Sequence, residues 1–277
     1  MNAASLYIVA TPIGNLSDIS ERAIKILQEV DLIAVEDTRH SGKLLQHIGV
    51  STPMLALHEH NEDKKVQDII DKLLAGAQIA LISDAGTPLI SDPGYQLVKA
   101  ALLAGIKVSP IPGPSALVTA LSVSGLPSDS FIFEGFLPNK SSGRIKKLGA
   151  LSAESRTLIF YEAPHRIVAC LQDMLQIFGA KRTAVIAREL TKTFETIKND
   201  SLENLLEWVQ ADTNQQKGEF VVLVQGKEKD NTVVNSEAES ILNTLMQELP
   251  LKQASHLASK ITGIKKNTLY QIGLNKK

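Results

Sequence analysis

Five short apolar runs, at residues 6–10, 31–36, 54–58, 78–83 and 107–111, alternate with stretches of helical spacing at 18–29, 38–48, 62–75, 91–104 and 115–124. Apolar residues recurring every three to four positions make one face of a helix, whereas short runs bounded by Gly, Pro or Asp make buried strands. The alternation therefore predicts β-α units around a largely parallel sheet. Gly105 closes the fourth of these helices as a C-terminal cap. After residue 136 the style changes. Residues 137–156 are polar and basic and read as a linker or mobile loop; strands then follow at 157–161, 183–188, 193–198 and 219–225, with helices at 165–178 and 202–211 and a hairpin across 189–192. The expected division is an N-terminal α/β domain at 1–136, a second α+β domain at 137–228, a polar linker at 227–236 and a helical end at 237–277.

A chain of 277 residues buries enough core to fold by packing alone, and 44% hydrophobic with 21% charged residues is ordinary globular usage. Cys170 is the only cysteine, which excludes an intrachain disulfide and a cysteine zinc cluster; it sits in an apolar helical pattern and reads as a small buried hydrophobe. Twelve aromatic residues are too few for membrane girdles, no apolar run approaches 18 residues, and the first residues lack the basic start of a signal peptide, so a cytoplasmic location is expected. His58 and His60 flank Glu59 outside any zinc-binding spacing, and no metal is assigned.

The net charge of −1 conceals an asymmetry. Residues 252–277 hold six lysines and no acid, leaving 23 basic against 30 acidic residues in 1–251. A basic tail on an acidic body suits an acidic partner such as nucleic acid, and it also suits a plain solvated helical face. Within this end, Ala254, Leu257, Ala258 and Ile261 share a helical face, Thr262-Gly263-Ile264 breaks it, and Asn267, Leu269, Tyr270 and Ile272 continue on another helix. Two short helices joined by a glycine-containing turn form a helix-turn-helix pattern, with a simple helical cap as the alternative.

Three glycine/proline loops each follow an apolar strand: Thr11-Pro12-Ile13-Gly14-Asn15-Leu16; Ser83-Asp84-Ala85-Gly86-Thr87-Pro88, with Ser91-Asp92-Pro93-Gly94 just after; and Pro112-Gly113-Pro114-Ser115-Ala116. Open α/β sheets bind ligands at the carboxyl ends of their strands, where these loops fall. None matches G-x-G-x-x-G or the P-loop, which weakens a dinucleotide-dependent or phosphoryl-transfer reading.

These loops, with Val35-Glu36-Asp37-Thr38-Arg39, resemble the tetrapyrrole-methylase superfamily. Glu36-Asp37-Thr38-Arg39 with Ser83 to Pro88 is similar to the branch that methylates the 2′-hydroxyl of a cytidine in small-subunit ribosomal RNA. The resemblance continues through Phe160 to Arg166, Ala187 to Lys192 and Gly218-Glu219-Phe220, spanning about residues 6–226. It implies two α/β domains with S-adenosylmethionine in the cleft between them, a small helix-turn-helix-like C-terminal domain, a homodimer, and ribosomal RNA or the small subunit as partner.

Carried over by position, the cofactor site comprises Pro12, Asp84, Thr87, Ser115, Ala116, Tyr161 and Gly218. Asp84 suits an ammonium, the helix start near Ser115 suits a carboxylate, and small Ala116 leaves room for a base; a turn aspartate bonded to its own backbone is the bland reading of Asp84. Methyl transfer to a hydroxyl requires positioning and loss of a proton, for which Glu36, Arg39, Glu162 and Arg188 are the catalytic candidates. Each is also readable as half of an ion pair, and His165 and Lys192 are further polar neighbours. The expected activity is ribosomal RNA 2′-O-methylation, with methylation of a porphyrin precursor and non-catalytic RNA binding as alternatives.

Overall fold

A computed structural model describes residues 4–57, 62–227 and 236–275. The His58–His60 segment, most of the expected linker, and Lys276 and Lys277 lie outside the described residues. The chain divides into two compact units, Met1–Gly226 and Lys227–Lys277.

The first unit starts with β1 (Ser5–Val9), α1 (Glu21–Glu29), β2 (Leu32–Val35), α2 (Thr38–His47), β3 (Met54–Ala56), α3 (Glu62–Leu74), β4 (Gln78–Ile82), α4 (Tyr95–Leu103), β5 (Lys107–Ile111) and α5 (Ala116–Ser124). The five strands are all parallel, in the order β3-β2-β4-β1-β5. Their continuous apolar runs follow from burial on both faces: Ile79 and Leu81 pack with α3 and α4, while Ala80 and Ile82 pack with α1 and α2.

A second sheet follows, built from β6 (Phe131–Phe136), α6 (Ser141–Ala150), β7 (Thr157–Glu162), α7 (Ile167–Phe178), β8 (Thr183–Arg188), β9 (Thr196–Ser201), α8 (Leu202–Ala211) and β10 (Phe220–Val224). Its order is β6-β7-β10-β8-β9, with β6 parallel to β7 and β10 antiparallel to both of its neighbours. One face packs Phe160, Ile186 and Val222 against α7 and α8. The other packs Ile159, Val185 and Val221 against Leu117, Ala120 and Leu121 of α5, so the last helix of the first sheet is covered by the second.

Four expectations are corrected. The second sheet begins at Phe131, before residue 137. The expected loop at 137–156 contains α6, because Arg144 is not solvated: it is buried, its Nε donating to Asp173 Oδ2 of α7 at 2.7 Å. The helix expected over 91–104 starts only at Tyr95, since Ser91 (φ 71°) and Gly94 (φ 119°) hold left-handed backbone that a helix excludes. The strand expected at 193–198 runs at Thr196–Ser201, after a longer turn.

The second unit comprises α9 (Ser236–Glu248), α10 (Leu251–Thr262) and α11 (Lys266–Leu274) around Leu242, Ala254, Ala258 and Leu269. Gly263 (φ 72°) ends α10 and opens the turn to α11. Of the face expected on α10, Ala254 and Ala258 are buried, but Leu257 and Ile261 are 39% and 63% exposed. Among the described residues no helix is long and apolar enough to cross a membrane.

Candidate functional site

The three loops follow β1, β4 and β5, which are adjacent in the first sheet, and they are tied together. Thr11 and Gly86 exchange backbone hydrogen bonds at 2.9 and 3.1 Å, the Thr11 hydroxyl donates to Ser83 O at 3.2 Å, and the Thr87 hydroxyl donates to Pro114 O at 3.0 Å. The Asp37 amide donates to Asp84 Oδ1 at 3.3 Å, which brings the strand end carrying Glu36 to the same place.

Above these loops lies a cavity of about 450 Å³ between the two sheets. The first sheet lines it with Ile13, Glu36, Asp84, Ala85 and Ile90 to Asp92, α5 with Ala116, and the second sheet with Phe136, Tyr161 to Pro164, Ala187, Leu190 and Glu219 to Val221. Five carboxylates and no cation belong to this lining. Asp92 is the most perturbed of them: burial, opposed by a hydrogen bond from Ser83 and reinforced by the charges of Glu36 and Asp84, pushes its carboxyl up to about 6. Its Oδ2 is buried without a hydrogen-bond partner.

The first turn of α5 is capped across the sheets. Ser115 stands at its N-cap without a side-chain bond, and the Leu117 amide donates to the Tyr161 hydroxyl at 3.2 Å instead. Burial pushes the Tyr161 phenol up to about 12, so it stays neutral while accepting this bond. Tyr161 is held edge-on by Phe133 and Phe136, at ring separations of 4.9 and 5.7 Å.

Of the residues expected from sequence, Glu36, Asp84, Ala116, Tyr161 and Glu162 line this cavity. Pro12 and Ser115 directly precede the lining residues Ile13 and Ala116, and Thr87 lies in the loop between the lining residues Ala85 and Ile90; none of the three is itself in the lining. Gly218 (φ 89°) lies beside the lining residue Glu219; a Cβ there would meet the Glu189 carboxylate at 2.6 Å or less, so close backbone approach accounts for this glycine. Glu162 is buried and paired with Arg166, Nε to Oε1 at 3.0 Å, which makes it the anchor of a structural ion pair at the cavity wall. Arg188 lies outside the lining: it shares a strand face with Ile186 and Ala184, which pack in the opposite core, while its neighbour Ala187 faces the cavity. Its Nη1 donates to Lys217 O at 3.2 Å. Arg39 is 89% exposed at the side chain and pairs with Asp37, whose carboxyl its guanidinium holds down at about 2.

Asp92, Phe136 and Glu219 were missed as site residues. The Ser91-Asp92-Pro93-Gly94 segment carried the signal for Asp92, since Pro and Gly at the next two positions argue against a helix there. Glu219 joins Glu189 in holding Lys192, each at 2.9 Å, on the turn after β8. Among the described residues no three His, Cys, Asp or Glu side chains group as a metal site.

Two sheets of this order with a carboxylate-lined crevice between them define an α/β methylase fold, and the chain belongs to the Tetrapyrrole (Corrin/Porphyrin) Methylases, whose family pattern matches residues 5–206. Residues 232–277 match the RsmI C-terminal HTH domain. The chain is 56% identical to the Ribosomal RNA small subunit methyltransferase I of Pseudomonas aeruginosa over 100% of its own length and 99% of that protein. It is 58% identical to the protein of the same name from Vibrio cholerae, covering 98% of this chain and 95% of that one. Among solved structures, the uroporphyrin-III-C-methyltransferase of Thermus thermophilus matches with a TM-score of 0.57 at 17% identity, over 80% of this chain and 94% of that one, which supports the fold alone.

Proposed function

We propose that this protein is an S-adenosylmethionine-dependent methyltransferase acting on the ribose 2′-hydroxyl of a cytidine in small-subunit ribosomal RNA. The observation that carries the reading is the full-length likeness to enzymes of that ribosomal role, in a chain whose cavity has five carboxylates and no cation in its lining. Arg166 and Lys192, just outside the lining, offset Glu162 and Glu219, but the acids of the first-sheet side, Asp84 and Asp92 among them, still favour a ligand bearing positive charge and disfavour a pyrophosphate or the many carboxylates of a porphyrin precursor. The donor supplies an electrophilic methyl group on a sulfonium centre.

The chain's own residues fit that donor. Asp84 accepts from an ammonium, the small side chains of Ala85, Ala116 and Ala187 leave room for a flat base, and Glu36 adds negative potential. Asp92 is the proton acceptor for the attacking hydroxyl: its Oδ2 is unpartnered, and a carboxyl titrating near 6 is a far better base at neutral pH than an ordinary aspartate. The basic helical end adds affinity for RNA phosphates, a contribution that weakens as salt rises. The protein acts in the cytoplasm as a homodimer, for which the exposed Val118 and Val123 of α5 offer an apolar surface.

Single-turnover methylation of small subunits from a strain lacking the protein, followed by mapping of ribose methylation, tests the reading. One cytidine 2′-O-methyl group is expected; transfer to base nitrogen or carbon, or none, contradicts it. Deletion of residues 237–277 is expected to weaken RNA binding and leave donor binding intact.

A further inference from the structure

Phe136 stands where regular strand geometry would not put it. Along β6 the pairing with β7 slips between Phe133 and Phe136, so that Phe133 opposes Ile159 and Phe136 opposes Tyr161: three steps on one strand against two on the other. Residues three apart on a regular strand face opposite sides. This bulge, with Gly135 at φ 63°, brings both rings onto Tyr161. Gly135 is also the residue the neighbouring loop requires, since a Cβ there would lie 3.0 Å from Ser91 Oγ, next to Asp92.

The residues after Phe136 are fastened. Arg166 donates to the Leu137 carbonyl and to Asn139 Oδ1 while paired with buried Glu162, and Leu137 is itself buried. Phe136 is thus held at both ends, and yet the residue remains 54% exposed while lining the cavity. It forms the lip.

We propose that the exposed face of Phe136 is a stacking platform for the unpaired nucleobase of the RNA nucleotide that receives the methyl group. The inference rests on the functional reading above and deepens it. An acid-lined cavity repels RNA phosphates, so the acceptor presents only its neutral parts, base and ribose hydroxyl, to the opening. A rigid aromatic face at that opening binds a base without charge and without regard to its hydrogen-bonding edge. The ring then sets how the ribose approaches Asp92, leaving sequence choice to other contacts.

The test uses the full chain with Phe136→Leu, which keeps the apolar bulk, and Phe136→Trp, which keeps the π face. Stacking predicts that Phe136→Leu raises the KM for small subunits about tenfold, the low-to-middle range for one stacked base. The S-adenosylmethionine Kd by calorimetry should stay within twofold, and Phe136→Trp should restore the KM. An unchanged KM in Phe136→Leu overturns the assignment, and so does a donor Kd that weakens in step with it, because the ring would then be a wall of the donor site. Fluorescence of Phe136→Trp, measured over the wild-type background with single-stranded RNA, separates this inference from the catalytic reading. Quenching without methylation would sink the activity and keep the platform; methylation without quenching would do the reverse.

Discussion

The two sheets contribute to the cavity in different ways. The first sheet delivers its ionisable groups on the loops beyond its strands: Glu36, Asp84 and Asp92 stand past the ends of β2 and β4. The second sheet delivers much of its lining from the strands themselves, where Tyr161, Ala187 and Val221 share one pleated face, and it supplies shape, a largely apolar wall and two carboxylates, Glu162 and Glu219, that are held in ion pairs with Arg166 and Lys192. Chemistry placed on loops can be tuned without disturbing a core, while a wall made of core strands cannot. Substitutions on the first side should therefore move catalysis more than stability, and those on the second the reverse.

The largest effect is expected at Asp92. Asp92→Asn should lower single-turnover methylation by about 10²–10⁴. In the wild type, kcat/KM should fall as pH drops through about 6, where Asp92 gains its proton. The same group makes a stability prediction of opposite sign. Its folded-state carboxyl titrates above the ordinary 3.8, so the folded chain holds that proton more tightly, and stability is lost as pH rises from about 4 to about 6. Asp92→Asn should then raise Tm at pH 7 by about 2 °C, allowing for partial solvent screening. Loss of both activity and stability would mark Asp92 as structural.

Next comes the second-sheet side. Arg144→Met leaves Asp173 buried without its cation and should cost about 3–5 kcal/mol in urea unfolding, with Asp173→Leu in the same chain recovering most of it. Tyr161→Phe removes the acceptor for the Leu117 amide and should cost about 1 kcal/mol. Smallest is Arg39→Ala: an exposed side chain paired with an adjacent aspartate should change stability by less than about 0.5 kcal/mol and leave donor binding within a few-fold. A large catalytic loss there would show that RNA, rather than the donor, engages this arginine.

The contrast also explains what sequence made legible. The parallel sheet could be read because its central strands are apolar on both faces and the loops after β1, β4 and β5 are punctuated by Gly or Pro, which also marks Asp84; Glu36, in a loop without Gly or Pro, is legible only through the resemblance of Glu36-Asp37-Thr38-Arg39. β6 was not foreseen, because its bulge breaks the two-residue alternation at Glu134-Gly135. α6 was hidden because Arg144 reads as a solvated charge until Asp173, 29 residues on, is brought beside it. Arg188 and Glu162 stand out in sequence through charged clusters inside the resembling motifs, whereas strand parity and a partner four residues away decide what each one faces.

Calorimetric titration of the full chain with S-adenosylmethionine, beside Asp84→Ala, tests the central claim most directly. Saturable binding at one molecule per chain, weakened at least tenfold by the substitution, is the predicted result. Binding that Asp84→Ala leaves unchanged would contradict the placement of the donor in this cavity.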